Sequence, residues 1–300
     1  MRPWRNTGSM SKHVDLNAIH TRMRAAAQHF RLPIHRRAWQ GRTGHILGVG
    51  IGNSIEFQDH RPYALGDDPR QIDWRAYART EQYLMKMHRE EVSPRVDVVL
   101  DASRSMAFEA DKWTRVLELL YFTIESARAL SASLRCTFLD GHRAHEWPAS
   151  SLLAYQLPAC HEPIVDATPE LNTVRWRYGS LRIVISDLLF PDEPDAWLAV
   201  LGSTNGHGIL LVPYSLSETD PAWSGNLRLV DCETQAQRKQ RVSPELMARY
   251  QQQYARHFAL WQEACARYAG LLARVPSHLP FDHAMQAEAV RVGAIELCSF

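Results

Sequence analysis

Lysine is scarce in this chain. It occurs at positions 12, 86, 112 and 239 only, so arginine supplies nearly all of the 34 basic residues. Arginine does not titrate in practice, and its planar fork suits fixed ion pairs. A charge surplus is absent too: 34 basic against 33 acidic residues leave a formal net charge of +1. No whole-molecule field for nucleic acid exists at that value, although a local basic patch is not excluded by it. No apolar run reaches 18 residues, which excludes a bilayer-spanning helix. The first twenty residues, Met1 to His20, are polar. They contain no apolar stretch of the kind a secretory signal needs, and a cytoplasmic protein is expected. Cysteine is sparse, odd in number and scattered (136, 160, 232, 265 and 298), with no Cys-x-x-Cys. Reduced thiols are expected, not a disulfide framework or a zinc site. Several chemistries lack their motifs as well: there is no Walker A loop, no His-Glu-x-x-His and no Gly-x-Ser-x-Gly. Gly48-x-Gly50-x-Gly52 is followed by Asn53 and fails the dinucleotide fingerprint. What is present is an ordinary globular balance, 45% apolar and 22% charged over 300 residues. That is enough for one large core or a core with a satellite.

Three segments follow from the pattern. Residues 1–40 form a basic extension with a helix predicted near Asn17–Phe30, favoured by Ala25, Ala26 and Ala27 and stopped by Pro33. Residues 41–91 are glycine-rich, then densely charged. Residues 92–300 alternate strands and helices. Val96–Leu100 reads as a buried strand and Asp111–Ser133 as an amphipathic helix. Arg135–Leu139, Leu181–Ile185, Gly208–Val212 and Leu227–Asp231 read as further strands, and Pro194–Leu201 as a short helix. Ser243-Pro244-Glu245 opens a long helix to about Gly270, with serine at the N-cap and proline at the first helical position. Arg274-Val-Pro276 is too short to assign alone. A last helix is predicted over about Phe281–Val292. The alternation predicts an α/β fold, doubly wound on a mostly parallel sheet, with a smaller N-terminal segment packed on it. Such sheets place ligands beyond the carboxyl ends of their strands, where strand order reverses.

Two strand ends carry the candidate chemistry. Leu100 is followed by Asp101-Ala-Ser103-Arg-Ser105, with an oxygen-bearing side chain at every second position. In an extended loop these point the same way and can converge on one small cation; hard oxygen donors with a single carboxylate suit magnesium. The plainer alternative is a polar turn with a helix cap. The second strand end is Ile185-Ser186-Asp187, whose carboxylate could reach the same cation directly or through water. A hydroxyl from a third loop is expected from Thr168, with Thr173 as the alternative. The His142-x-x-His145 pair reads as surface loop, and Tyr250, Tyr254, Phe258, Trp261, Cys265 and Tyr268 as a core stripe on the long helix. Arg36-Arg37-x-Trp39 and Arg238-Lys239-Gln240-Arg241 read as solvated charge, the latter ending a polar connector from Thr234.

Asp-x-Ser-x-Ser at a strand end, with a later strand end at Ile-Ser-Asp, resembles the metal-ion-dependent adhesion site of von Willebrand factor type A domains. The segment Arg61-Pro-Tyr63-Ala-Leu-Gly66-Asp67-Asp68-Pro-Arg70-Gln-Ile-Asp73-Trp74 through Arg79-Thr80 is similar to the signature of the bacterial family called domain of unknown function 58. Members of that family contain a von Willebrand A-like fold, and their genes commonly neighbour those of MoxR-type AAA+ ATPases. The resemblance spans about residues 40–290. It implies a Mg²⁺ (or Mn²⁺) site at Asp101, Ser103, Ser105, Thr168 and Asp187. The family's threonine loop reads Gly-Thr-Asp where this chain has Ala167-Thr168-Pro169-Glu170. It further implies a non-enzymatic adaptor that works with a MoxR-type ATPase on a client protein, with no nucleic-acid partner. A metal-assisted hydrolase using the same carboxylates and a metal-free scaffold are the alternatives. In the signature itself, Gly66-Asp-Asp-Pro69 is a strong turn signal. Arg61, Arg70, Arg75 and Arg79 stand near Asp67, Asp68 and Asp73, which reads as a structural ion-pair network or a docking surface for a partner.

Overall fold

The structure is a computed structural model that describes residues 14–34, 55–64, 72–90, 93–158, 169–191 and 193–298. In chain order, α1 (Leu16–His29) and β1 (Phe30–Arg31) are followed by β2 (Ile55–Pro62), α2 (Trp74–Thr80) and β3 (Leu84–Glu90). Next come β4 (Arg95–Asp101), α3 (Ala110–Ala129), β5 (Ser133–Asp140), β6 (Arg143–Trp147), α4 (Ala149–Leu153) and β7 (Leu181–Ile185). Then follow α5 (Pro194–Gly202), β8 (His207–Tyr214), α6 (Leu216–Thr219), β9 (Gly225–Val230) and β10 (Gln237–Val242). The chain closes with α7 (Pro244–Arg267), β11 (Leu271–Pro276), α8 (Phe281–Ala284) and β12 (Glu296–Leu297).

The chain divides into two compact units, Ile46–Ser93 and the remainder. The smaller unit is an antiparallel β2–β3 ribbon with α2 between its strands in sequence. Asp73 caps α2: its carboxylate accepts from the amides of Arg75 (3.0 Å) and Ala76 (3.2 Å).

The larger unit is α/β. Its six-stranded sheet runs β11-β8-β7-β4-β5-β6, parallel throughout except for β6 at one edge, and helices flank it. The central strands β4, β7 and β8 are rich in Val, Ile and Leu because both their faces are covered; Asp97 and Arg182 are the buried charged residues among them. Helix α3 explains why one face is so apolar. Val116, Leu117, Leu119, Leu120, Tyr121, Phe122 and Ile124 are all buried on it, since the helix lies between the sheet and α1. Its buried acids are paired across that contact, Glu118 with Arg22 (2.9 Å) and Glu125 with His20 (2.7 Å), and Glu118 is paired within α3 with Arg115 (3.2 Å). On the other face, α5 and α7 pack through Trp197, Phe258, Trp261 and Cys265. Of the expected aromatic stripe on α7, Tyr268 is exposed.

Several expectations are corrected. Leu227–Asp231 is not a strand of the sheet. Leu227–Val230 belongs to β9, which pairs antiparallel with β10 in a separate ribbon, Asp231 lies in the turn, and the Arg238–Arg241 charge cluster is within β10. Alternating exposure on a ribbon leaves little apolar signal for sequence reading. The stretch beginning Leu271, unassigned above, is the edge strand β11, parallel to β8. His145 lies on β6, not in a loop. The last helix is one α-turn passing into a π-turn at Met285–Ala289. No helix among the described residues is long and apolar enough to cross a membrane.

One buried side chain secures the sheet to α5. Arg182 on β7 is fully buried, and its guanidinium donates to the carbonyls of Val200 (2.7 Å) and Leu201 (3.1 Å) and to Ser203 Oγ (3.1 Å). The two carbonyls lie at the C-terminus of α5, where a cation is favoured; that of Val200 also accepts from the Ser203 amide and hydroxyl. Gly206 leaves room for it: a β-carbon there would stand 2.3 Å from the guanidinium. Arg182→Met is expected to lower the unfolding free energy by about 2–4 kcal/mol, and Gly206→Ala is expected to destabilise as well. Urea denaturation of both variants checks this.

Candidate metal and ligand site

The order of the sheet fixes where to look. From β4 the chain moves outward to β5 and β6, then returns to the other side of β4 for β7 and continues to β8. The reversal therefore falls between β4 and β7, whose carboxyl ends carry Asp101 and Ser186-Asp187. Leu100 is level with Ile185, so both loops leave the sheet at the same height.

Asp101 joins the two loops. Its carboxylate accepts from the Ser103 amide (2.9 Å) and from the Ser186 hydroxyl (2.7 Å), and the side chain is buried. The Ala102 amide donates to the Leu139 carbonyl (2.9 Å), which ties the loop to β5. Ser103 Oγ and Ser105 Oγ lie 3.0 Å apart, but the backbone is not the extended loop expected from the sequence: Arg104–Ala107 is a short 3₁₀ helix, and its tight turn brings the two hydroxyls together. Asp187 is also buried; its Oδ1 accepts from the Leu189 amide (3.1 Å). Between them, Leu188 sits in the left-handed region at φ 56°, which a leucine rarely adopts. Its side chain is fully buried and its carbonyl is 2.7 Å from His257 Nε2 on α7, so packing holds the conformation.

Lys112, in the first turn of α3, is part of the same site. Its ammonium donates to Asp187 Oδ2 (2.8 Å) and Glu218 Oε1 (2.5 Å), with 1% of the side chain exposed. Burial works against its charge, but the charges of Asp187 and Glu218 outweigh it and hold the lysine protonated above its ordinary range. Glu218 is set by a capping box on α6, its other oxygen accepting from the Ser215 amide (2.7 Å). The Tyr250 hydroxyl donates to the Glu218 carbonyl (2.7 Å). Burial pushes Asp101 upward, and the nearby charge of Asp187 adds to it, to about 7. Among the described residues no ion pair reaches Asp101.

That last fact tests the fit to a divalent cation. A buried carboxylate pressed by a second one, beside two convergent hydroxyls, is an all-oxygen set short of positive charge, and a hard cation fits it. Asp101, Ser103 and Ser105 would hold it. The carboxylate of Asp187 faces Lys112 with one oxygen. Thr168 lies outside the described residues. Thr173 donates to the Glu170 carbonyl (2.7 Å) in a short turn. Among the described residues no cluster of three or more His, Cys, Asp or Glu side chains that could hold a metal occurs.

Of the signature residues, Asp73 is the α2 cap, Trp74 is largely exposed, and Arg79 Nε donates to the Arg75 carbonyl (3.4 Å). The Tyr63 amide donates to the Tyr83 carbonyl (2.9 Å). Arg61 is in β2. Gly66, Asp67, Asp68 and Arg70 lie outside the described residues. Sequence reasoning passed over Lys112, Glu218 and Glu233. Glu233 stands in the β9–β10 turn, and its carboxylate accepts from the amides of Ser105 (2.7 Å) and Arg104 (3.2 Å). Lys112 carried a signal, being one of four lysines in an arginine-dominated chain and standing at the start of an apolar helix. Ser215-x-x-Glu218 was readable as a capping box.

Residues 59–132 match the family model described as "Protein of unknown function DUF58". The matched stretch includes Asp101, Ser103, Ser105 and Lys112. Comparison with curated proteins and with solved structures gives no match.

The raised Asp101 carboxyl has a signed consequence. The unfolded chain loses this proton near pH 3.8 and the folded chain near 7, so the folded state binds more protons between them. Stability from this group is therefore present at low pH and falls as pH rises through that window. In EDTA, Asp101→Asn is expected to flatten the decline of melting temperature between pH 5 and 8 and to melt above the parent at pH 8. Calorimetry of the pair across that range checks it.

Proposed function

We propose that this protein is a non-enzymatic adaptor of the von Willebrand factor A type, carrying a metal-ion-dependent adhesion site. Asp101, Ser103 and Ser105 would hold Mg²⁺ or Mn²⁺, with Asp187 contributing directly or through water and Thr168 as the hydroxyl from the third loop. The bound ion would supply an electrophilic seat for a carboxylate from a partner protein, because its charge is only partly offset by the site. By resemblance, the partner is a MoxR-type AAA+ ATPase and the work is assembly or remodelling of a client protein complex. One observation carries this reading: two buried carboxylates stand at the ends of neighbouring parallel strands at the switch point of the sheet, close enough to act on one another, and no ion pair reaches Asp101 among the described residues. A hydrolase would need a general base beside the ion, and the buried amine at hand, Lys112, is held protonated.

Binding to a purified MoxR-type ATPase tests the proposal. Affinity is expected to fall at least tenfold in EDTA and in Asp101→Ala; equal affinity in all conditions removes the metal from the account.

Lys112 favours a second reading, a metal-free scaffold in which the ammonium is the permanent counter-ion of Asp187 and Glu218. Lys112→Met separates the two. Both readings expect it to cost about 3–5 kcal/mol in EDTA, since two carboxylates lose their buried partner. The adaptor reading has Mg²⁺ raise the melting temperature of the parent, and that of the variant by more. The scaffold reading has Mg²⁺ move neither, as differential scanning calorimetry would show.

A further inference from the structure

The β9–β10 ribbon stands apart from the sheet, yet its turn reaches the Asp101–Ser105 loop. The turn is stiffly built. The Asp231 carboxylate accepts from the amides of Glu233 (2.9 Å) and Thr234 (2.7 Å), the Asp231 amide donates to the Ala236 carbonyl (2.9 Å), and Gln235 takes a left-handed conformation at φ 60°. This geometry delivers Glu233, whose two oxygens take the Ser105 and Arg104 amides. Cys232 Sγ lies 3.9 Å from the same carboxylate. A carboxylate oxygen that accepts one amide hydrogen keeps a lone pair for a second partner. The loop it grips is the one that offers Ser103 Oγ and Ser105 Oγ. The strands behind it are a lone two-stranded antiparallel pair, most of whose side chains are exposed, and such a pair is only marginally stable by itself. A rigid tip on a weakly anchored ribbon is suited to leaving its seat as one piece.

We propose that Glu233 is an internal ligand: the β9–β10 ribbon seats the chain's own carboxylate on the Ser103–Ser105 loop, in the place a partner's acid would take, and a partner binds by displacing the ribbon. The inference rests on the adaptor reading and adds to it a self-occupied resting state. It also specifies the partner's contact as an acidic side chain able to take the Arg104 and Ser105 amides together with the ion.

Mn²⁺ alone is the probe, with the full chain, Glu233→Gln and Glu233→Asp. Isothermal titration gives affinity, and water-proton relaxation gives the number of water molecules on the bound ion. Glu233→Gln is expected to bind Mn²⁺ about tenfold more weakly and to show about one additional bound water, the position its carboxylate held. Glu233→Asp keeps the charge but shortens the reach, and is expected to behave like the glutamine variant; parental behaviour would show a merely long-range charge effect and overturn the inference. Hydrogen exchange over residues 225–242 is expected to quicken in Glu233→Gln. Equal affinity and hydration in all three chains overturns the internal ligand while leaving the adhesion site standing. Failure of Mn²⁺ to bind any of them overturns the adhesion site, and the internal ligand with it.

Discussion

The bond between Ser186 and Asp101 is the contact on which the candidate site depends. It spans two parallel strands and sets two buried acids at one end of the sheet. Burial of a lone carboxylate is costly, and burial of two near each other is costlier still. The fold answers that cost separately for each. Asp187 receives an ammonium, and Asp101 receives an amide and a hydroxyl. That inequality is what makes the site chemically interesting. One carboxylate is satisfied by charge, and the other only by dipoles.

Lys112 and Glu233 therefore mark opposite sides of one electrostatic arrangement. The lysine enters from α3, beneath the loops, and is locked by two acids. The glutamate enters from the β9–β10 turn and spends its charge on backbone amides. Neither belongs to the Asp-x-Ser-x-Ser pattern, yet Glu233 hydrogen-bonds the amides of that loop and Lys112 the carboxylate beside it. The ammonium limits how much of Asp187 is available. The glutamate occupies the amides of Arg104 and Ser105.

How much of this was legible in the sequence follows from the kind of signal each element carries. The strands β4, β7 and β8 are buried on both faces and read as aliphatic runs, broken only by Asp97 in β4 and Arg182 in β7, so the sheet and its strand-end loops could be located from residues alone. The α7 helix announced itself through Ser243 and Pro244. By contrast, β6, β9 and β10 alternate polar residues on exposed ribbons or edges and resemble loop. The strand β11 is six residues long and carries arginine and proline among its aliphatics, which hides it. The site divided in the same way. Asp101, Ser103, Ser105 and Asp187 lie next to strong strand signals. Lys112, Glu218 and Glu233 reach the site through tertiary packing, from 75 residues before Asp187 in one case and from about 130 after Ser105 in another, and no local pattern reports such a distance.

The left-handed Leu188 ties the Asp187 loop to a distant part of the molecule. Its carbonyl is gripped by His257, near the middle of a 24-residue helix that is about 36 Å long. That helix is wedged against α5 by interlocked rings, Trp197 against Trp261 and Phe190 against both. Axial slippage of α7 must break the His257 contact or drag the leucine, and with it the backbone that aims Asp187. The loop is thus moored to a long helix, and a shift of that helix along its axis would be felt at the acid.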